Sequence, residues 1–402
     1  MKSSEKIRHK LWRRLLSMVV FFVCIKLIFS ILIKDNDEDV ISPLKNLYYL
    51  ADIPIFFLSC IYFITSFKWF NQEYYLKVIK LLLLILCLIL YAVITSMSHE
   101  IDWMIALTSQ LKMFLPFLVL ISFNLFPRSA EMSRSVSVVS VFVLLISLYA
   151  FIFLEPSRNR DAYYWPIYFS GLHTHAYVVF GTIVYSHFYF FFVLNRNLLV
   201  LILSLLFAVI LGYGYGVRTS LICLITYLLV FHAYHARWAI LKKSNLIFVS
   251  AILGLLILLI FAANFDVLTF DGFSSGRLSE YVSRFEFIGD RDFIGNAFGS
   301  GAGQDIMYSE TWWWEDKGSH NDYLTLIIEF GFVYLIFILY FIQKLFQLFR
   351  GNYVAYAVLS AYLVSSLISN GLMFRPLATY VLFLSFLNMN IFYSKKNLVL
   401  NG

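Results

Sequence analysis

Apolar positions in this chain come in long blocks of Leu, Ile, Val, Phe and Tyr, separated by short polar segments. Such blocks match the ~20 apolar residues that a helix needs to cross a bilayer. They lie at roughly 15–33, 46–67, 81–97, 104–126, 135–154, 174–194, 197–213, 219–235, 246–264, 321–343, 353–371 and 376–393. The pattern predicts an all-α integral membrane protein, a single polytopic domain over residues 1–402 with about twelve transmembrane helices. The seventh and eighth blocks are joined through GYGYGVRTS (212–220), which predicts a tight helical hairpin.

Two polar segments are longer than a connection needs to be, 155–173 and 265–320. Long connections usually carry a task. The second, between spans nine and ten, repeats Leu278, Tyr281, Val282 and Phe285 at helical spacing. That predicts a short amphipathic helix lying on the membrane surface or capping a cavity.

Composition supports the membrane reading. The chain is 61% hydrophobic and 14% charged, where soluble domains carry about a quarter charged residues. A net charge of +7 would favour nucleic acid only if the basic residues clustered on a soluble face. Here they are dispersed between apolar runs, so no nucleic-acid partner is expected. With the N-terminus placed in the cytoplasm, 19 of the 31 Lys and Arg fall in cytoplasmic segments and 10 in external ones. That is the positive-inside pattern, with both termini cytoplasmic and the 265–320 loop external. The basic MKSSEKIRHKLWRR is followed by no small-residue cleavage site and is read as leading a retained first span. Cys24, Cys60, Cys87 and Cys223 all sit inside apolar runs without CxxC spacing, which implies small core residues rather than disulfides or metal ligands.

The candidate chemistry lies on the external side. His320 precedes the tenth span, in GSHNDYLTLIIEFGF (318–332). A polar helix entrance accounts for its position, with Ser319 or Asn321 as cap, yet imidazole is also the side chain best suited to take a proton from a hydroxyl. Asp322 reads as a first-turn charge favouring the helix dipole. Glu329 lies about 13 Å deeper along the helix, where a carboxylate needs a partner or a polar cavity. A structural or supporting role suits it, with Gly331 allowing close approach.

Arg218, after the glycines of the hairpin, reads as an interfacial anchor or an anion ligand. Arg277 and Arg284 share one face of the loop helix at i,i+7. Arg277, preceded by Gly276, is the better anion ligand. Arg284 and Arg291 are open to pairing with Glu280, Glu286, Asp290 or Asp292. Arg375 adds a further external contact or anchor. TWWWEDKGSH (311–320) offers tryptophans, Trp313 among them, as an interfacial belt or as platforms for sugar rings. FGSGAGQ (298–304) lacks the strand-to-helix setting of a nucleotide loop. His173 and His175 form an HxH without further ligands, so no metal is expected. Deep within spans only Lys26, Asp52, Lys112 and Glu329 are ionisable.

Taken in order, VRTSL at the hairpin, a later GR in a glycine-bearing external loop, and HNDYLxxxxEFG opening the next span resemble the O-antigen ligase and polymerase superfamily. The likeness runs across 212–332, with the twelve-span layout extending it. One departure is Thr219, where a small Gly or Ala commonly follows the arginine. The resemblance implies an inverting glycosyltransferase of the bacterial inner membrane, working at the periplasmic face without metal or other cofactor. The implied donor is a glycan on undecaprenyl diphosphate. Its diphosphate would be held by Arg218 and Arg277, with His320 activating the acceptor hydroxyl and Arg284, Arg375, Trp313 and Asn321 as further contacts. The acceptor is a second lipid-linked repeat unit in a polymerase, the first reading here, or lipid A-core in a ligase, the second. A lipid-glycan flippase or transporter is the third. Membrane lipids are obligatory partners, and a chain-length regulator is left open.

Overall fold

The computed structural model describes residues 2–33, 38–66, 72–124, 137–146, 149, 176–194, 199, 202–203, 206, 211, 218–235, 277–309, 315–368 and 371–400. Among the described residues the protein is helical apart from one small hairpin. In chain order the helices are α1 (Lys2–Leu32), α2 (Glu38–Leu50), α3 (Asp52–Ser66), α4 (Gln72–Ser98) and α5 (Trp103–Phe123). There follow α6 (Ser137–Ile146) and α7 (Ala176–Phe188), which runs on into a π-helical turn (Tyr189–Val193), then α8 (Arg218–His235). The remainder are α9 (Arg277–Asp290), α10 (Phe293–Phe298), α11 (Asp322–Leu348), α12 (Tyr353–Ile368) and α13 (Pro376–Leu400). Strands β1 (Met307–Ser309) and β2 (Glu315–Lys317) pair antiparallel, Tyr308 opposite Asp316. The sequence does not predict this hairpin, since three-residue strands carry too little alternation to register.

Among the described residues, five segments are long and apolar enough to cross a membrane: Leu44–Ser66, Gln72–Ser98, Trp103–Phe123, Ala176–Val193 and Asp322–Leu348. Shorter apolar helices are Ser137–Ile146, Thr219–His235, Tyr353–Leu367 and Pro376–Phe392. The expected spans at 197–213 and 246–264 lie largely or wholly outside the described residues, as do 155–173 and its neighbours His173 and His175. The outer faces are apolar too. On α4, Leu83, Leu86, Leu90, Ile94 and Met97 are all more than half exposed and recur at helical spacing, which in water would be untenable and in lipid is the natural arrangement.

Inside, one continuous apolar core joins α1, α3–α5, α7, α8 and α11–α13. At one end of the bundle an amide chain closes it: Asn352 donates to Asn390 (2.8 Å), Asn390 to Asn124 (2.8 Å) and Asn124 to Tyr74 (2.7 Å). The opposite end carries the starts of α5, α7, α11 and α13, and α9, α10 and the hairpin cover it.

Two prolines shape that end. Pro54 clashes with the carbonyl four residues back, so the helix that includes Leu50 stops there and restarts at Asp52, with Ala51 as a one-residue turn. Pro116 sits inside α5 and has no N–H to give the carbonyl of Lys112.

Candidate functional site

The helix that follows His320 is broken. At Gly331, within α11, φ is 82° and ψ 174°. A side chain is excluded twice over, by the positive φ and because a Cβ would collide with the carbonyl of Ala297. A break strands the carbonyls just before it, and each must find another donor inside an apolar bundle. The 291–303 segment supplies them. Ile328 O accepts from Ser300 N (3.1 Å) and Arg291 Nη1 (3.2 Å), and Glu329 O accepts from Gly301 N (2.7 Å). Phe330 O accepts from the hydroxyl of Tyr91 on α4 (3.1 Å). The Glu329 carboxylate adds a bond from Gly303 N (2.7 Å).

FGSGAGQ is therefore a plug laid against a helix break. Gly299 must be glycine, since its φ is +85° and its Cβ would strike the backbone of Glu329. The far side of the plug rests on α4, where Ser96 Oγ accepts from Ala302 N (3.0 Å) and His99 Nε2 lies 3.1 Å from Gly299 O. Gly331→Ala is expected to cost at least about 1–3 kcal/mol of strain and clash. Faster protease cleavage within 291–305, with a lowered melting temperature, is the result to look for.

Immediately past the plug, Asp305 is the hub of a buried polar cluster. Its Oδ2 accepts from Thr325 Oγ1 (2.6 Å), Ser319 N (2.9 Å) and Ser319 Oγ (3.0 Å). Its carbonyl accepts from Arg284 Nη2 (3.2 Å), and its Oδ1 is 3.7 Å from Arg284 Nε. Arg284 also pairs with Glu280 at 2.8 Å. Burial pushes the Asp305 carboxyl above its ordinary range, against the pull of the Thr325 and Ser319 bonds.

Arg284, expected as a substrate contact, is thus corrected. It is 1% exposed and ties α9 to the 305 segment. The i,i+4 pair Glu280–Arg284 is the buried face of α9, while Val282 and Phe285 are exposed. Buried charge demands a partner more strictly than exposed Val or Phe demands cover.

Asn321, open from the sequence to both a cap and a contact, is found as the cap. As N-cap of α11 its Oδ1 accepts from Tyr323 N (3.0 Å) and Leu324 N (3.2 Å), while Nδ2 donates to Leu367 O at the end of α12 (2.9 Å). Asn321→Ala should cost about 0.5–2 kcal/mol, read as a lower unfolding midpoint in a denaturing-detergent titration. Asp322, expected as a dipole charge, is fully buried and accepts from Gly371 N at 3.1 and 3.3 Å.

Between Ser319 and Asn321, both locked, stands His320. Its φ of 52° is uncommon outside glycine, and residues held there cluster at functional sites. Its side chain is half-buried, and its carbonyl lies 3.5 Å from the Tyr281 hydroxyl of α9. Arg375, at the start of α13, places its guanidinium carbon 5.0 Å from the Tyr177 ring centroid, within electrostatic range of Asp322. Arg277 and Arg218 are the first residues of α9 and α8. Their side chains, and all of Trp313, lie outside the described residues.

The 320 end thus brings together His320, Asn321, Glu329, Gly331, Arg284 and Arg375. Sequence reasoning misses Asp305, Ser319, Thr325 and Tyr91 as a set, because the bonds to Asp305 from Ser319 and Thr325 and the bond from Tyr91 to Phe330 span 14, 20 and 239 positions. The one local sign is the spacing of Gly299, Gly301 and Gly303. Compared with family models, with characterised proteins and with solved structures, the chain matches none, so its chemistry has to be read from its own residues.

Proposed function

We propose that this protein is an inverting glycosyltransferase of a bacterial inner membrane that polymerises glycan repeat units carried on undecaprenyl diphosphate. The observation that carries the reading is His320. It is held in a strained conformation, half-buried, at one end of an apolar bundle. In this reading the chain crosses the membrane about twelve times, with both termini cytoplasmic and the 320 end periplasmic.

In the reaction, the acceptor hydroxyl gives its proton to the His320 imidazole as its oxygen attacks the anomeric carbon. The bond from that carbon to the diphosphate oxygen breaks, and the electron pair leaves with the lipid diphosphate. Arg277 and Arg218, each at the start of a helix, supply the positive charge that the leaving group develops against. No step calls for a metal. Glu329 and Gly331 serve the site indirectly, by fastening the 291–303 plug that carries the loop into place.

The test uses purified protein in liposomes with a short glycan on undecaprenyl diphosphate. A ladder of lengthening lipid-linked glycans is the expected result. Product only after lipid A-core is added would assign ligase chemistry instead. Silence under both conditions would overturn the transferase reading in favour of transport.

A further inference from the structure

Of the four Lys, Asp and Glu residues that the sequence places deep in the spans, three meet at one place. Lys26 of α1 is fully buried, with Nζ 2.6 Å from Asp52 Oδ2 at the start of α3. The other carboxylate oxygen of Asp52 accepts from the Tyr380 hydroxyl of α13 (3.0 Å). The Lys26 ammonium lies 4.0 Å from the Tyr48 ring centroid and 5.9 Å from that of Tyr49. From the other side, Lys112 Nζ of α5 lies 4.6 Å from the same Tyr49 ring. Two ammonium groups therefore lie by one tyrosine, and among the described residues the carboxylate beside them, Asp52, is already taken by Lys26 and Tyr380.

Among the described residues, Lys112 has that ring for company and makes no hydrogen bond or ion pair. The ordinary explanation for a lysine in a span is snorkelling to the nearer interface. That explanation fails on position. Lys112 is the tenth residue of a helix beginning at Trp103, about 14 Å along its axis, and its ammonium turns onto α2 instead of running along α5. The surroundings are also opened up. Pro116 leaves the Lys112 carbonyl without its helical N–H, and the α2–α3 helix is interrupted at Ala51, between Tyr49 and Asp52. Unmatched backbone carbonyls and unmatched charge at this depth mark a ligand position in a membrane protein.

We infer that Lys112, with Lys26 and the Tyr48–Tyr49 pair, forms an intramembrane site for the phosphate or diphosphate group of a lipid. The excess positive charge requires an anion, and the depth requires one that arrives through the bilayer on an apolar tail. Lysine binds phosphate as a point charge, without the fixed fork of arginine, which suits headgroups of differing shape. Occupancy of this site is a matter of binding, whatever reaction the protein catalyses.

Native mass spectrometry of the full-length protein in mild detergent tests it, with a polyprenyl diphosphate, phosphatidylglycerol and zwitterionic phosphatidylcholine as probes. A saturable 1:1 adduct with an anionic probe is expected, weakened about tenfold or more in Lys112→Gln. Lys112→Arg should retain it, and Lys80→Gln, at an exposed position, should bind as the wild type does. Binding of the diphosphate alone assigns the site to a lipid-linked intermediate. Equal binding of phosphatidylglycerol assigns it to a bulk anionic lipid. Wild-type affinity in Lys112→Gln, or equal retention of phosphatidylcholine, would overturn the inference. Because Lys112 carries no hydrogen bond or ion pair among the described residues, an unchanged melting temperature in Lys112→Gln separates lost binding from lost fold.

Discussion

His320→Ala is expected to lower glycan transfer by about 10²–10⁴-fold, the usual contribution of a positioned general base, in a protein that still folds. Its imidazole is only half-buried, so removing it leaves no large cavity. Ser319 and Asn321 hold the backbone on either side through Asp305 and through Tyr323, Leu324 and Leu367. The positive φ complicates alanine, which tolerates that region less well than asparagine does. His320→Asn is therefore the sharper variant, since it keeps the backbone geometry and removes the base. Both variants should fail in the liposome assay. Substantial transfer by either would remove His320 from the chemistry.

Asp305→Ala carries the largest expected cost in stability, about 3–5 kcal/mol, as when one partner is deleted from a buried charged pair. The change strands Ser319 N, Ser319 Oγ and Thr325 Oγ1, and it leaves Arg284 with one carboxylate neighbour fewer. Asp305→Asn should lose less. The amide keeps one oxygen as acceptor, and burial already pushes the aspartate toward its neutral form. The two variants are separated by unfolding midpoints in a denaturing-detergent titration, together with protease cleavage across 277–320. Equal midpoints for Asp305→Ala and the wild type would show that the cluster does not hold the 277–320 segment in place.

Part of this site is legible in local patterns of residues. Helical spacing in 277–290 and the caps around 320 follow local rules, and both elements are present. The Glu329–Gly331 pair is also legible as something other than a plain span, because a carboxylate and a glycine inside an apolar run each need a reason. Their actual work is not legible. Residue type alone points Glu329 and Gly331 toward a neighbouring helix, whereas both receive the 297–303 segment of the loop before α11. Arg284 and Asn321 have the chemistry of outward ligands and turn inward as ties. A side chain's type states what it is able to bond, and only its neighbours state what it does bond.

By itself, the sequence determined that the chain is a bundle of apolar helices, because blocks of about 20 apolar residues bury their backbone groups only as helices in lipid. It also marked His320, Glu329, Lys26, Asp52 and Lys112 as costly placements that call for partners. The tertiary structure alone decided who those partners are. Asp305 meets Ser319 and Thr325, Tyr91 meets Phe330, and Lys26 meets Asp52 across 26 positions. Such pairings are set by how helices pack and where they break, and apolar periodicity is blind to both. It records which face of a helix is greasy, and leaves open which other helix stands against it.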